Sequence, residues 1–288
     1  MSNQITEAFV QQFGNTFNHV AQQMPSRLRG LVRVETGIVG ESKSVNRLGK
    51  RQQQRRLQRH GDTPINEQPH STRYIDLYDY EDGDMIDSQD KLRMLIDPTS
   101  DYIKAMVSAG NRGQDLEIIL ALGGNSRSKS QGLVALPSTQ KIAVGGTGLS
   151  KAKIIQAKKM FRQNEADEEN GEELSFIYSA QMMSDVLSDT TLTSADFLAV
   201  QMLQQGTLKG KWMGFNWVPS EQLPKVSTTR FGYAFAKSGT VFGIGQDIVT
   251  KVGEDPGKGF NARVYMKQSI GAARVEEEKV VEVACNEP

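Results

Sequence analysis

Apolar residues recur every three or four positions along one long stretch of the chain, residues 97–122. The stretch begins with Asp97, which suits a helix N-cap, and Pro98, which suits the first helical position. Two glycines follow Leu122 and favour a helix end there. The pattern predicts a helix of about 25 residues, roughly 37 Å long. Its expected buried stripe is Tyr102, Met106, Ala109, Gly113, Leu116 and Leu120.

Small residues are frequent in the same stretch, at Ala105, Ala109, Gly110 and Gly113. Small side chains allow another element to approach the helix backbone closely. We therefore expect a leucine at Gly113 to overpack this face, at a cost of about 1–3 kcal/mol.

Further helices are predicted from the same periodicity at 1–24, 149–161, 182–187 and 195–204. The helix at 1–24 would carry an apolar stripe that must dock on its own core or on a neighbour. The helix at 149–161 is strongly basic. The acidic run that follows it, 165–173, is expected to be a solvated tip.

Alternating apolar and polar residues predict strands. These are 28–39, 73–85, 174–178, 212–218, 231–236, 241–244, 264–270 and 280–283, with a Gly/Ser-rich hairpin region at 123–147. Helices and strands mix without a βαβ rhythm, so the predicted fold class is α+β.

A polar stretch of about thirty residues, 41–71, separates two predicted strands. It has too few large apolar residues to form a core of its own. Loops of this length without a core are uncommon inside domains. The stretch is interpreted as a long hairpin arm or as a loop that orders on assembly.

Charge is sorted into blocks, although the chain as a whole is neutral, with 34 Lys plus Arg and 34 Asp plus Glu. Segment 43–59 holds seven bases and no acid, and segment 76–90 holds seven acids and no base. Separated blocks attract the opposite block, on the same chain or on a copy of it. The residues that we expect at contacts between subunits are Arg51, Arg55, Arg56, Arg59, Asp82 and Asp84.

The composition argues against several classes of protein. No window approaches the roughly 20 apolar residues that a membrane helix needs. Residues 1–20 lack the basic start and apolar core of a secretory signal. Cys285 is the single cysteine, which excludes an intramolecular disulfide and favours a reducing compartment.

No arrangement of residues typical of catalysis is found. Segment 253–259 imitates a phosphate-binding loop but is one residue short and lacks the Ser or Thr, so a turn is expected. The glycines of 145–148 would either cradle a phosphate or form a flexible joint, and the joint is favoured. The histidines are scattered. We therefore predict no enzyme, no catalytic residue, no cofactor and no metal site.

Several segments, taken together and in order, resemble a family of tailed-bacteriophage major capsid proteins. The most distinctive is the last of them, and they span most of the chain after about residue 28. They are RHGDTP (59–64), DKLRMLIDPTSDY (90–102), DTTLTSADF (189–197), GQDI (245–248) and IGAARVEEEKVV (270–281).

The resemblance implies the Hong-Kong-97-type capsid fold. The parts expected from it are an N-terminal arm (1–34), an extended loop (35–72), a peripheral domain (73–144) with a spine helix (97–122), an axial domain (145–245) and a C-terminal return to the peripheral domain (246–288).

The implied function is a shell protein that self-assembles into pentamers and hexamers, the capsomers of an icosahedral capsid, around double-stranded phage DNA. Implied partners are copies of the chain, a separate scaffolding protein, a portal, decoration proteins and non-specifically bound DNA, with no membrane. The protein would be made in the host cytoplasm and reside in the virion. Two alternatives stay open: a nucleic-acid-binding module that uses the basic strip 43–59, and a small phosphate-handling enzyme.

Overall fold

The computed structural model describes residues 22–55, 59, 65–86, 99–188 and 211–288. These residues belong to two units. The smaller consists of 22–26, Asp79–Gly113 and Asp247–Gln268. The larger consists of Arg27–Tyr78, Gln114–Gln246 and Ser269–Pro288. The predicted helix at 195–204 and the helix start at Asp97-Pro98 lie outside the described residues. The predicted helix at 1–24 does so up to residue 21, and residues 22–24 are not helical.

Three helices and fifteen strands occur among the described residues. The helices are α1 (Thr99–Gly123), α2 (Lys151–Gln163) and α3 (Ala180–Ser188). The strands are β1 (Arg33–Thr36), β2 (Ser42–Leu48), β3 (His70–Asp76), β4 (Tyr78–Ile86), β5 (Ser126–Ser128), β6 (Gly132–Val134), β7 (Lys141–Ile142), β8 (Leu174–Tyr178), β9 (Lys211–Trp212), β10 (Phe215–Pro219), β11 (Lys225–Val226), β12 (Thr229–Ala236), β13 (Thr240–Asp255), β14 (Asn261–Arg274) and β15 (Val280–Asn286). The α+β fold class is therefore confirmed.

The larger unit contains a seven-stranded mixed sheet in the order β7-β15-β12-β8-β10-β9, with β11 paired to β12. Strand β8 is buried along its whole length, as its run of apolar residues indicates. Aromatic side chains fill the core beside it: Phe176 stacks on Trp217 at 4.7 Å, and Phe215 meets Phe161 and Phe176 edge-on.

A second sheet of the larger unit, in the order β2-β3-β5-β6, holds the predicted polar arm. β2 and β3 pair in antiparallel register from Ser42 opposite Asp76 to Leu48 opposite His70. β5 and β6 form the hairpin expected in the Gly/Ser-rich region. The prediction of a hairpin arm is thus confirmed for its base.

The long helix is confirmed over 25 residues, but the expected buried stripe is wrong in its second half. Leu116 and Leu120 are 39% and 51% exposed, whereas Ile118, Ile119 and Leu122 belong to the core. Six of the seven residues from 116 to 122 are apolar, so periodicity alone does not fix the phase of the helix there.

The core of the smaller unit consists of Ile86, Met106, Val264 and Met266. A Cβ on Gly110 would lie 3.0 Å from Cδ1 of Ile248 and 3.2 Å from Sδ of Met266. A Cβ on Gly113 would meet only Nε2 of Gln268, at 3.5 Å. Neighbouring side chains therefore approach the helix backbone closely at Gly110. The close approach that we expected at Gly113 is not found there.

Several strand predictions differ from the structure in their extent. The predicted strand 28–39 is a strand only at β1, and the predicted strand 73–85 is divided between β3 and β4, which belong to different sheets. The predicted strand 212–218 is a short hairpin of β9 and β10, because Met213 and Gly214 adopt positive φ of 50° and 82° and turn the chain. The predicted strand 241–244 is the first part of β13, which continues to Asp255. Segment 253–259 is the end of that strand followed by a tight turn, as expected.

The acidic run 165–173 is a solvated tip only in part: Glu165, Glu169 and Glu173 are exposed, as expected, but three other acids are not. Asp167 is buried, Glu168 forms an ion pair with Lys158, and Glu172 accepts a bond of 2.8 Å from Nζ of Lys279. Burial tends to raise the pKa of Glu172, but the bonds from Lys279 and Ser238 outweigh it and lower the pKa. The run is held to the fold because bases lie opposite its acids.

Candidate functional site

The hairpin formed by β2 and β3 (hereafter the arm, residues 42–76) is attached to the larger unit through a small apolar cluster. Val45 on β2 and Ile75 on β3 are buried together with Val241, Ala273 and Val275. The other residues of β2 are exposed or half-buried. The burial of Val45 and Ile75 therefore fixes which face of the arm packs against Val241, Ala273 and Val275.

One carboxylate anchors both strands of the arm. Glu277 accepts a 2.7 Å bond from Nη2 of Arg73 on β3 and another, also 2.7 Å, from Nη1 of Arg47 on β2. Burial tends to raise the pKa of Glu277, but the bonds from Arg73 and then Arg47 outweigh it, and the pKa lies below its ordinary value. Charged bonds of this kind are stronger than neutral ones.

Three members of the charge blocks pair with residues outside the opposite block. Lys43 contacts Glu35 at 2.5 Å, Arg47 contacts Glu277, and Asp76 pairs with Arg127. These three members therefore serve the attachment of the arm, in place of the block-to-block attraction that the sequence suggests.

The residues expected at subunit contacts lie on exposed segments, as far as the structure describes them. Arg51 and Arg55 are exposed in the extended segment that follows β2, and Arg59 is exposed in a turn. Arg56 lies outside the described residues. Asp82 and Asp84 are exposed on β4, two positions apart and hence on one face of the strand.

Arg274 is a fully buried arginine that sequence reasoning missed. Its Nη1 donates to the carbonyl oxygens of Leu122 (2.9 Å) and Gly124 (2.7 Å), and Nη2 donates to that of Val134 (3.0 Å). It therefore caps the end of α1, whose last carbonyl groups have no partner within the helix. The alternation of buried residues in β14 holds over 264–270 and is lost after Ile270, so the strand period does not indicate the burial of Arg274.

Lys153 is also buried and was missed, because α2 was interpreted only as a basic helix. Its Nζ lies 2.8–3.0 Å from the carbonyl oxygens of Val144, Thr147, Gly148 and Ala284. Burial lowers the pKa of this ammonium. Its position four residues before the buried Ala157, on the same face of the helix, was the available signal.

The loop 144–148 is therefore a ring of carbonyl groups around a cation. A phosphate cradle needs N–H groups that point at the anion, so this arrangement does not fit that alternative. The expected flexible joint is corrected as well, since the bonds from Lys153 hold the loop in place.

The described residues give little support for a metal site or for a reactive thiol. Within it, no group of three or more His, Cys, Asp or Glu residues is arranged to hold a metal ion. Burial raises the pKa of the Cys285 thiol to about 11, so the reactive thiolate is disfavoured. Among the described helices, none combines the length and apolar character needed to cross a membrane.

A sequence model of the phage capsid protein family matches residues 5–287 of the chain. The match covers nearly all of the sequence, including the segments with the arm, α1 and the anchoring residues 274–279. The sequence has no match among curated proteins.

Solved phage capsids share the fold at low sequence identity. The capsid protein of cyanophage P-SCSP1u is 16% identical with a TM-score of 0.75, over 99% of this chain and 95% of that one. The capsid protein of Ralstonia phage GP4 is 10% identical with a TM-score of 0.73, over 98% of this chain and 96% of that one. The capsid protein of cyanophage Pam1 is 12% identical with a TM-score of 0.71, over 98% of this chain and 97% of that one. At these identities the similarity shows the fold alone.

Proposed function

Because the chain belongs to the phage capsid protein family, we propose that it is the major capsid protein of its phage and assembles into pentamers and hexamers of an icosahedral shell around double-stranded DNA. The observation that carries this proposal is the family match over residues 5–287. The protein is a structural component of a phage capsid, and the capsomer types and the enclosed DNA are the proposed part.

We assign the parts of the chain accordingly. In this assignment 1–34 is the N-terminal arm, 35–72 the extended loop, 73–144 the peripheral domain with its spine helix, 145–245 the axial domain and 246–288 the return segment. A separate scaffolding protein, a portal and decoration proteins are the proposed partners, and synthesis occurs in the host cytoplasm.

The tip of the hairpin arm formed by β2 and β3, residues 42–76, is the proposed contact between subunits. Arg51 and Arg55 are exposed, while the base of the same hairpin is held by Glu277 and by the apolar cluster around Val45. An anchored base with an exposed basic tip suits a segment that reaches an acidic surface of a neighbour. The acidic face of β4, with Asp82 and Asp84, has the complementary charge.

The test is assembly of the purified chain, both alone and together with the scaffolding protein of its phage, followed by light scattering and electron microscopy. The parent should form closed shells, and added salt should slow their formation, because exposed charges are screened over about 8–10 Å. The double reversal Arg51→Glu/Arg55→Glu should slow assembly by about tenfold or more, with an unchanged circular dichroism spectrum. A matched control is Lys129→Glu/Lys211→Glu, which reverses two exposed bases outside the basic block.

Two results would count against the proposal in different ways. If the parent forms no shells or capsomers, the capsid role as stated is wrong. If the arm reversal and the control assemble at the same rate as the parent, the shell role stands and the contact assigned to the arm is wrong.

A further inference from the structure

The turn between β13 and β14 holds an exposed phenylalanine in a strained conformation. Phe260 has a φ of 57°, a left-handed value that bulky residues rarely adopt, and it is 64% exposed. Its N–H donates to the carbonyl oxygen of Asp255 at 3.1 Å, and the Asp255 carboxylate accepts from the N–H of Gly257 at 2.9 Å. These bonds hold the turn in a shape that presents the ring to solvent. Strain and apolar exposure are both unfavourable in an isolated subunit, and both are typical of contact sites.

A cleft of about 590 Å³ lies beside this turn, in the same unit of the protein. Val252, which is 52% exposed, Pro256 and the ring of Tyr265 supply its apolar lining. The guanidinium of Arg263 lies 5.5 Å from the centre of the Tyr265 ring and extends that surface. The cleft can therefore receive an aromatic side chain.

The charges around the ring and the cleft are complementary. Lys258 is exposed and lies two residues before Phe260. Three acids, Glu81, Glu254 and Asp255, and two bases, Lys251 and Arg263, line the cleft, so the acids exceed the bases by one. A lysine that accompanies the ring into the cleft would offset this one excess negative charge.

We propose that Phe260 of one copy of the chain inserts into this cleft of a second copy, with Lys258 facing the acids of the cleft. The inference rests on the proposed function, because it requires that copies assemble. Phe260 is then a determinant of subunit association that the charge pattern of the sequence does not indicate.

Cross-linking between copies tests the geometry. Nine parts of chains with Val252→Cys are assembled with one part of chains with Lys258→Cys. Both variants keep Phe260, and nearly all contacts keep its native turn. A short bis-maleimide should then join the two variants, and the product should appear only after assembly. Cys285 is buried and gives a low background. The control replaces Lys258→Cys by Leu133→Cys, at an exposed residue of β6. A yield no higher than that of the control pair, in well-formed shells, overturns the contact.

Substitution of Phe260 separates its role in assembly from its role in folding. Phe260→Gly relieves the left-handed strain, so the melting temperature should stay the same or rise. Assembly should nevertheless slow by about tenfold or more, which corresponds to loss of about 1.4 kcal/mol per contact. Phe260→Leu keeps apolar bulk and should assemble faster than Phe260→Gly, and Leu133→Ala should match the parent.

The failures of the two proposals are distinguishable. Assembly of Phe260→Gly at the parental rate, into normal shells, overturns the contact and leaves the capsid role intact. A parent that forms no assembly at all overturns the capsid role, and the contact falls with it.

Discussion

The Nη1 atom of Arg274 lies 2.9 Å from the carbonyl oxygen of Leu122, where α1 ends. A helix end leaves carbonyl groups without partners and carries partial negative charge. A buried arginine from the C-terminal part of the chain supplies both the donors and the opposite charge. The end of a 25-residue helix thus depends on a residue about 150 positions further along the sequence.

Replacement of Arg274 should therefore be costly. Arg274→Met leaves three carbonyl oxygens without their donor, and the free energy of unfolding should fall by about 3 kcal/mol or more. Urea unfolding followed by tryptophan fluorescence measures this. The control, Arg162→Met, removes an exposed arginine with surface ion pairs and should cost no more than about 1 kcal/mol. Equal losses in the two variants would contradict the capping role.

Glu277→Gln should weaken the attachment of the arm. The amide keeps the shape of the side chain but loses the charge that Arg73 and Arg47 share, so we expect a loss of about 2–3 kcal/mol. Trypsin should also cleave faster at Arg47 and Arg73, which are half-buried and buried in the attached arm, since opening of the arm exposes them. Glu278→Gln, at the exposed neighbour, serves as the control, and identical digestion of the two variants would show that the anchor does not matter.

The same carboxylate should make stability depend on pH. The pKa of Glu277 is lowered in the folded protein, so its contribution is fully present above its unfolded pKa of about 4.3 and is lost as the pH falls through the folded value. The difference in unfolding free energy between the parent and Glu277→Gln should be largest near pH 7 and shrink below about pH 4. Urea titrations at several pH values measure it, and a difference that does not change with pH would refute this reasoning.

Lys153→Met should destabilise the larger unit, because four carbonyl groups lose the ammonium that they surround. We expect a loss of about 2–4 kcal/mol. Lys159→Met removes an exposed lysine from the same helix and should change stability by less than about 0.5 kcal/mol. Thermal unfolding of both variants, followed by circular dichroism, provides the comparison. Lys153→Met with parental stability would mean that the ring of carbonyl groups is satisfied by water.

The two glycines of α1 should respond differently to alanine. Gly113→Ala adds a methyl group with an ordinary contact to Gln268 and should stabilise the protein by about 0.5–1 kcal/mol through helix propensity. Gly110→Ala gains the same propensity but crowds Ile248 and Met266, so it should be less stable than Gly113→Ala. Melting temperatures of both variants rank them, and the reverse order would place the close approach at Gly113.

Local pattern predicted much of the fold, because long periodic segments leave little choice of element. The bounds of β8 were predicted to the residue, and the C-terminal end of α1 within one residue. The side-chain partners were harder to predict. Lys153 and Arg274 carry charge and would ordinarily be assigned to the surface. The carbonyl groups that bond Arg274 are far away in the sequence, whereas those around Lys153 come from the nearby loop 144–148 and from the distant Ala284. The phase of α1 at Leu116 was likewise set by tertiary packing, which places Ile118, Ile119 and Leu122 in the core.

The charge blocks show a similar limit. The sequence indicates that bases and acids are sorted, but it does not indicate that Lys43 and Arg47 attach the arm to Glu35 and Glu277. A block of like charges thus contains residues with different roles. Only distances in the folded chain separate the anchors from the exposed arginines at the tip.

The shared carboxylate of Glu277 has a mechanical consequence for the arm. Arg47 lies on one strand and Arg73 on the other, where Arg73 stands opposite Val45, so the two attachment points are about 7 Å apart along the hairpin. A single attachment would act as a pivot, whereas two resist rotation as well as pulling. Bending should therefore begin beyond Leu48 and His70, where the ladder of paired residues ends, and a force on the tip would flex that segment before it turned the base.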